Sequence, residues 1–504
     1  MGAASGGRPL IKPLDSRLSL RTAVQTPGLT SGFAAHRLGN FQREALLLAA
    51  TVLLLLWPAL LNGFPLMFPD SGIYLGIAYG RDYGIDRSSF YGFLLKPVVT
   101  SLPGVAGLWL VASLQALIVA GALRLAQRRL MPSLGHGIAL LWIGTIALLT
   151  SLPWHAAQVM PDAFSGVLVL LSWLAASRAA GEKGVRILWL WVFLLALTHY
   201  THLILFLCAA AATIACEYAL RRDWRDCLRR VGAAALVVVS VVTLQAAANS
   251  AVHGRAVYSP GGPVFLFARL NEDGLVPRWL DRHCGRDAPE ELCAARERIA
   301  SDSQVLLWHD RNGIVARHVW FPPTAEERWR WVEMMNRANR GAIRDEPLPF
   351  LWNSAAATWA QFTTFAALDD ECPVNCVSPS AGINETLRRY RPDALLAFQG
   401  SRQPGGGLGR DLVRSATSPV AALALLLLPL ALVASWRRRD GDSLSLGAAI
   451  MLALVANAAM AGALSDVHDR YQSRLVWLPT FLLVGLALRW LGERGARRAS
   501  TLQV

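Results

Sequence analysis

The chain has 504 residues, of which 54% are hydrophobic and only 17% charged, and its mean hydropathy is +0.36. That is too apolar and too poor in charge for a soluble globular protein, so the membrane class leads. The formal net charge of +14 does not point to nucleic acid, because the basic residues stand in short runs beside apolar segments, as cytoplasmic loops between membrane spans do.

Residues 1–43, with Arg8, Lys12, Arg17, Arg21, Arg37 and Arg43, read as a cytoplasmic basic tail without a cleavable signal peptide. A span needs about 20 apolar residues. Ten stretches approach that length, some of them short: Glu44–Gly63, Gly104–Leu125, Gly137–Pro153, Ala163–Ser177, Ile187–Thr198, Leu203–Leu220, Val231–Ala248, Pro419–Trp436, Leu444–Leu464 and Leu475–Leu491. Basic runs follow the second, fourth, sixth, eighth and tenth of them, for example Arg124, Arg128 and Arg129, then Arg437, Arg438 and Arg439. By the positive-inside rule both termini are cytoplasmic. The expected architecture is an all-α polytopic membrane protein of about ten spans. Spans 1–7 fall in 44–248, including an outer loop at 64–103, and a mixed extracytoplasmic domain at 249–417 is inserted between spans 7 and 8. Spans 8–10 fall in 418–491, and a cytoplasmic tail occupies 492–504.

The unusual polar residues then gather on the outer side. The loop Phe68–Pro97 holds Asp70, Asp82, Asp86, Arg81, Arg87, Lys96 and four tyrosines. Ile73, Tyr74, Ile77 and Ala78 repeat at helical spacing, and Ser71 or Asp70 is placed to cap that helix at the membrane surface. Asp162 opens the fourth span in Met160-Pro161-Asp162, where proline and aspartate also suffice simply to start a helix. His199, Tyr200 and His202 form a turn between spans that can hold an anion, although such residues are common at that depth. The densest group is Ser465–Arg474, with Asp466, His468, Asp469, Arg470, Tyr471 and Arg474. Two arginines on the outer side need an anionic partner, either Asp466 and Asp469 or a substrate phosphate. Asp466, His468 and Asp469 are weak candidates for a divalent metal, which stays possible as a cofactor.

The segment 249–417 carries turn and helix signals rather than linker composition. Thr324 and Glu327 form a capping box, and Trp352, Trp359, Phe362 and Phe365 suit a helix lying at the interface. Four of the seven cysteines fall here, most simply paired as Cys284–Cys293 and Cys372–Cys376, with a zinc site as the competing use. Cys208, Cys216 and Cys227 read as free thiols. Asn384-Glu-Thr matches a glycosylation acceptor, a triplet that also arises by chance.

In the arrangement of these motifs the chain resembles the GT-C-type glycosyltransferases, polytopic enzymes that use polyprenyl-phosphate sugars. The resemblance rests on Asp70 with Tyr74–Ala78, Arg87–Val98 before the second span, Met160–Leu171, Thr198–Leu203 and Asp469–Pro479. It covers roughly the membrane half of the chain. It implies an inverting transfer from a polyprenyl-phosphate donor to an extracytoplasmic glycan, lipid or protein. Asp70 would be the catalytic carboxylate, with a basicity raised by burial, and Asp162 the second acid. Arg470 or Arg474 would engage the donor phosphate, with Lys96, His199 and His202 as further candidates and Tyr74, Arg87 and Tyr471 as auxiliaries. The lone Pro69-Asp70-Ser71 departs from a paired acidic motif, and an outer domain interrupts the spans instead of following them. A transporter or flippase and a non-catalytic envelope assembly subunit are the competing readings. The alanine- and arginine-rich composition suits a bacterial inner membrane, with the active face periplasmic.

Overall fold

The structure is a computed structural model that describes residues 29–81, 83–177, 181–368 and 382–501, with side chains between Phe41 and Gly495. The chain divides into Met1–Leu46 and Leu47–Val504, and the packing below lies within the second unit. Helix α1 (Leu29–Asn62) is followed by the short α2 (Pro69–Ala78) and α3 (Ser89–Ser101), then α4 (Gly104–Leu130), α5 (His136–Leu149) and α6 (Leu152–Ala156). A 3-10 turn at Pro161–Phe164 leads into α7 (Ser165–Ala176), before α8 (Glu182–Leu197), α9 (His202–Arg221) and α10 (Trp224–His253). The next segment holds α11 (Gly262–Glu272), α12 (Leu275–His283), α13 (Glu290–Ala295), α14 (Ala325–Asp345), α15 (Pro347–Thr363), α16 (Gly382–Tyr390) and α17 (Pro392–Gln399). Helices α18 (Arg410–Arg437), α19 (Gly441–Leu464), α20 (Asp469–Ser473) and α21 (Trp477–Thr501) complete the order.

Among the described residues, seven helices are long and apolar enough to cross a membrane: Phe41–Asn62, Gly104–Leu130, His202–Arg221, Trp224–His253, Arg410–Arg437, Gly441–Leu464 and Asp469–Gly495. The three other expected spans are also helical but short. Helix α5 has 14 residues and α8 has 16, about 21 and 24 Å at 1.5 Å per residue, against a hydrocarbon layer of about 30 Å. Every residue of α7 is buried. Its apolar sequence therefore serves contact with neighbouring helices, and a hydropathy count does not separate that from contact with lipid.

The segment after α10 differs from the mixed domain that was expected: its described residues form helices and no strand, and the one β-bridge among described residues is Leu66 with Gln158. The helical periodicity explains this, since α14 buries Trp331, Val332, Met335, Ala338 and Ala342 along one face. That face joins a separate hydrophobic core with α11, α12 and Ile85 of the first loop. The later part, through Ile383, Leu387, Leu395 and Phe398, packs instead with the main core of long helices. Helix α16 lies so close on α2 that a Cβ at Gly72 would sit 2.9 Å from the Cα of Ile383.

Several local expectations find a definite outcome. Cys284 and Cys293 form a disulfide, while Cys208, Cys216 and Cys227 are free; Cys372 and Cys376 lie outside the described residues. Thr324 caps α14 by accepting from the Glu327 N–H at 3.1 Å. On α15, Trp352 and Trp359 are exposed, as an interfacial helix requires. Asn384 is completely buried in α16, so the acceptor asparagine itself is not on the surface. Helix α2 is capped differently from expectation. Phe68 takes the N-cap position, Pro69 opens the helix, and the Ser71 hydroxyl reaches back to accept from the Phe68 N–H at 2.9 Å.

Candidate functional site

Pro69 at the first position of α2 leaves Asp70 in the first turn, where a carboxylate meets the positive end of the helix dipole. Ser88 begins α3 by accepting from the Phe90 N–H, and the residue before it, Arg87, turns back toward α2. Its Nη2 donates to Asp70 Oδ1 at 2.6 Å, and its Nη1 lies 3.1 Å from Asp86 Oδ2. The other Asp70 oxygen accepts from Arg470 Nη2 at 3.1 Å. Asp70 is thus held between guanidiniums from segments 17 and 400 residues away.

Asp162 sits in the 3-10 turn before α7. Its Oδ1 accepts from Arg474 Nη1 at 2.8 Å, and its Oδ2 lies 3.9 Å from Arg470. Arg470 and Arg474 stand four residues apart across the single turn of α20, so both reach the same side. Arg474 also donates to Asn457 Oδ1 at 2.7 Å and to the Thr201 hydroxyl at 3.2 Å. Phe68 supports the Arg470 guanidinium, with 4.1 Å between Cζ and the ring centre. The result is a continuous network of three carboxylates and three guanidiniums. Asp162 and Arg474 are 1% exposed, whereas Asp70 and Arg470 keep 7%, so all four are buried and the Asp70 end is the less deeply buried one.

Electrostatics at Asp70 overturn one expectation. Burial by itself pushes the carboxyl pKa up, but Arg87 and then Arg470 outweigh it and hold the group below its ordinary value. Asp86 goes the other way: burial dominates over its attraction to Arg87 and raises its pKa. In this state Asp70 is an ion-paired carboxylate and a weak base. Tyr74 is completely buried beside these charges, its phenol pKa is pushed up by burial, and its hydroxyl has no hydrogen-bond partner among the described residues.

The other candidates divide. His199 joins through Thr201, whose hydroxyl lies 2.8 Å from its Nδ1. Burial, followed by the positive charge of Arg474, lowers its pKa well below the usual histidine value. His202 is fully buried. Its Nδ1 lies 2.9 Å from the Leu195 carbonyl and its Nε2 lies 3.0 Å from Ser165 Oγ, so both ring nitrogens are occupied by the fold. The Tyr471 ring lies beside both Arg470 and Arg474, with its centre 5.5 and 5.8 Å from their Cζ atoms. Lys96 is exposed on α3 and makes no contact with this network.

The metal candidates do not converge. Asp466 accepts from Gln304 Nε2 at 2.6 Å and lies 3.6 Å from His468 Nε2, while Asp469 accepts from the Ala366 N–H and pairs with Arg414 at 3.1 Å. Among the described residues no group of three histidine, cysteine or acidic side chains is placed to hold a metal ion. Residues given no role from the sequence complete the site: Asp86, Thr201, Phe68 and Asn457. Asn457 carried a signal, being a lone amide in the apolar run of α19. Thr201 carried none.

No protein-family model matches the chain, and neither a curated protein nor a solved structure shows significant similarity to it. The helices and their apolarity define an all-α polytopic membrane protein.

Proposed function

We propose that the protein is a membrane glycosyltransferase of the GT-C type, moving a sugar from a polyprenyl-phosphate donor to an acceptor on the outer face of a bacterial inner membrane. The observation that carries this reading is the convergence of Asp70, Arg87, Asp162, Arg470 and Arg474 from four separated segments at one end of the long helices. In this reading α5, α7 with its preceding turn, and α8 complete the ten spans, and both termini are cytoplasmic.

The ion pairs suggest how the carboxylate becomes a base. A donor phosphate competes with Asp70 for Arg470 and Arg87, which are suited to bind it through paired N–H donors. As their charge is drawn to phosphate, the burial that remains raises the basicity of Asp70. The acceptor oxygen then attacks the anomeric carbon, and its proton passes to the Asp70 carboxylate. The bond from that carbon to the phosphate oxygen breaks, with its electron pair staying on the polyprenyl phosphate. Attack opposite the leaving group inverts the centre. Asp162 orients Arg474 and Arg470, and the unpartnered Tyr74 hydroxyl supplies a donor for the substrate.

One observation favours a second reading, a non-catalytic assembly subunit: the three carboxylates and three guanidiniums already neutralise one another. Sugar transfer distinguishes the two. Membranes carrying wild type or Asp70→Asn are supplied with labelled polyprenyl-phosphate sugars, and insertion of each protein is measured in parallel. Loss of a general base predicts a drop of about 10²–10⁴-fold in the variant at normal insertion. Equal transfer by both proteins removes Asp70 from the chemistry, and absence of transfer from every donor favours the assembly subunit.

A further inference from the structure

A second site lies at the opposite end of α19 from the Asp70 network. Helix α19 has 24 residues, so its two ends are about 36 Å apart at 1.5 Å per residue. Where α18 ends, α19 begins and the apolar part of α21 finishes, the structure has a cavity of about 560 Å³ lined by Arg438, Asp440, Arg489, Trp490, Glu493 and Arg494.

The charges in its wall are unequally satisfied. Asp440 caps α19 by accepting from the Ser443 N–H at 3.3 Å, and its other oxygen takes the Arg489 guanidinium. Arg494 lies over Trp490, with 3.7 Å from Cζ to the ring centre. Neither Arg438 nor Arg494 has a carboxylate within ion-pair distance among the described residues, and exposed Arg437 and Arg439 add to the positive field. Below this rim the surface is apolar. Leu426, Leu430 and Val433 stand at i, i+4 and i+7 as an exposed stripe on α18, and Trp436 and Leu491 are exposed beside the cavity.

We propose that this cavity binds the phosphodiester headgroup of an anionic phospholipid. Arg438 and Arg494 face the phosphate, Trp490 sits at the headgroup level, and the acyl chains follow the apolar stripe on α18. Paired arginines above an apolar surface at the end of membrane helices match an anionic lipid in both charge and depth. A zwitterionic lipid gains less, because its own ammonium competes for the phosphate.

The test uses the full-length protein in detergent, with native mass spectrometry reading the lipid retained from equimolar phosphatidylglycerol and phosphatidylcholine. Wild type is expected to retain phosphatidylglycerol preferentially. At about 1 kcal/mol per basic residue near a charged lipid, Arg438→Gln with Arg494→Gln lowers that retention roughly tenfold or more. Arg225→Gln, which removes a charge from the first turn of α10, leaves it unchanged. Thermal stability in phosphatidylcholine, measured alongside, checks that the double variant is folded; neither side chain has an ion-pair partner among the described residues and only the Arg494–Trp490 contact is lost, so it is expected to melt close to wild type. Equal retention of the two lipids by wild type, or equal phosphatidylglycerol retention by the double variant, overturns the proposal. Binding of free glycerol 3-phosphate as tightly as phosphatidylglycerol also overturns it and assigns the cavity to a soluble phosphate ester.

Discussion

At Asp162 the carboxylate meets Arg474 with almost no exposure on either side, so neither charge has solvent to fall back on. Removing one partner of such a pair costs about 3–5 kcal/mol, because the other is left buried and uncompensated. Asp162→Ala is therefore expected to lower thermal stability sharply. Adding Arg474→Ala should recover part of the loss, a non-additivity that a double-mutant cycle reads directly. A strictly additive pair would mean that the two groups are independent. His199 gives a pH dependence. Its folded pKa lies below the ordinary value near 6.5, so the unfolded chain binds a proton that the folded one resists. Stability from this group is complete above that value and is lost as pH falls toward the folded pKa. Wild type should melt lower at pH 5.5 than at 7.5, and His199→Gln should flatten that slope. Asp70 has a depressed pKa as well. Its ion pairs remain across the whole of this range, and their contribution fades only below the ordinary carboxylate value near pH 3.9.

Between elements, α15 and α19 approach each other closely. A Cβ on Gly462 would stand 2.3 Å from the Ala357 carbonyl oxygen, so only glycine lets the two helices meet there. Gly462→Leu should cost at least about 1–3 kcal/mol as an overpacking change. The same substitution at Gly232 of α10, which has nothing within 4 Å of a Cβ, should be tolerated. Similar melting temperatures for the two variants would show that α15 can shift away freely. This contact also bears on the site, because Gln361 of α15 donates to the His468 carbonyl at 2.8 Å and accepts from the His468 N–H at 2.8 Å. The helix thereby fixes the chain just before Asp469 and Arg470. Periodicity shows α15 as a helix with exposed tryptophans, but it does not reveal which helix it crosses.

For the molecule as a whole, the proposed topology puts the turn between α9 and α10 on the cytoplasmic side of the membrane and the α11–α14 core on the other. Cys208, Cys216 and Cys227 are first replaced by alanine, and single cysteines are then introduced at two exposed positions, Arg225→Cys and Glu290→Cys. An impermeant maleimide applied from the proposed outer face of the membrane should label Glu290→Cys and spare Arg225→Cys. The reverse labelling would invert the topology and move the Asp70 network to the cytoplasmic face.

Apolarity and the spacing of basic runs were enough to identify a polytopic helical protein, because lipid requires continuous apolar helices and charge asymmetry accompanies their insertion. Residue chemistry alone also singled out Asp70, Asp162, Arg470 and Arg474. Three matters depended on tertiary structure. Whether an apolar helix such as α7 faces lipid or protein depends on its neighbours, and hydropathy has no access to that. The protonation of Asp70 is decided by Arg87 and Arg470, one of them 400 residues away, and their combined field reverses the effect of burial. Lys96, equally plausible by type and position, stays exposed on α3 and makes no ion pair with the network. Charge pairing inside a low-dielectric site is a property of distances, and only the packed chain sets those.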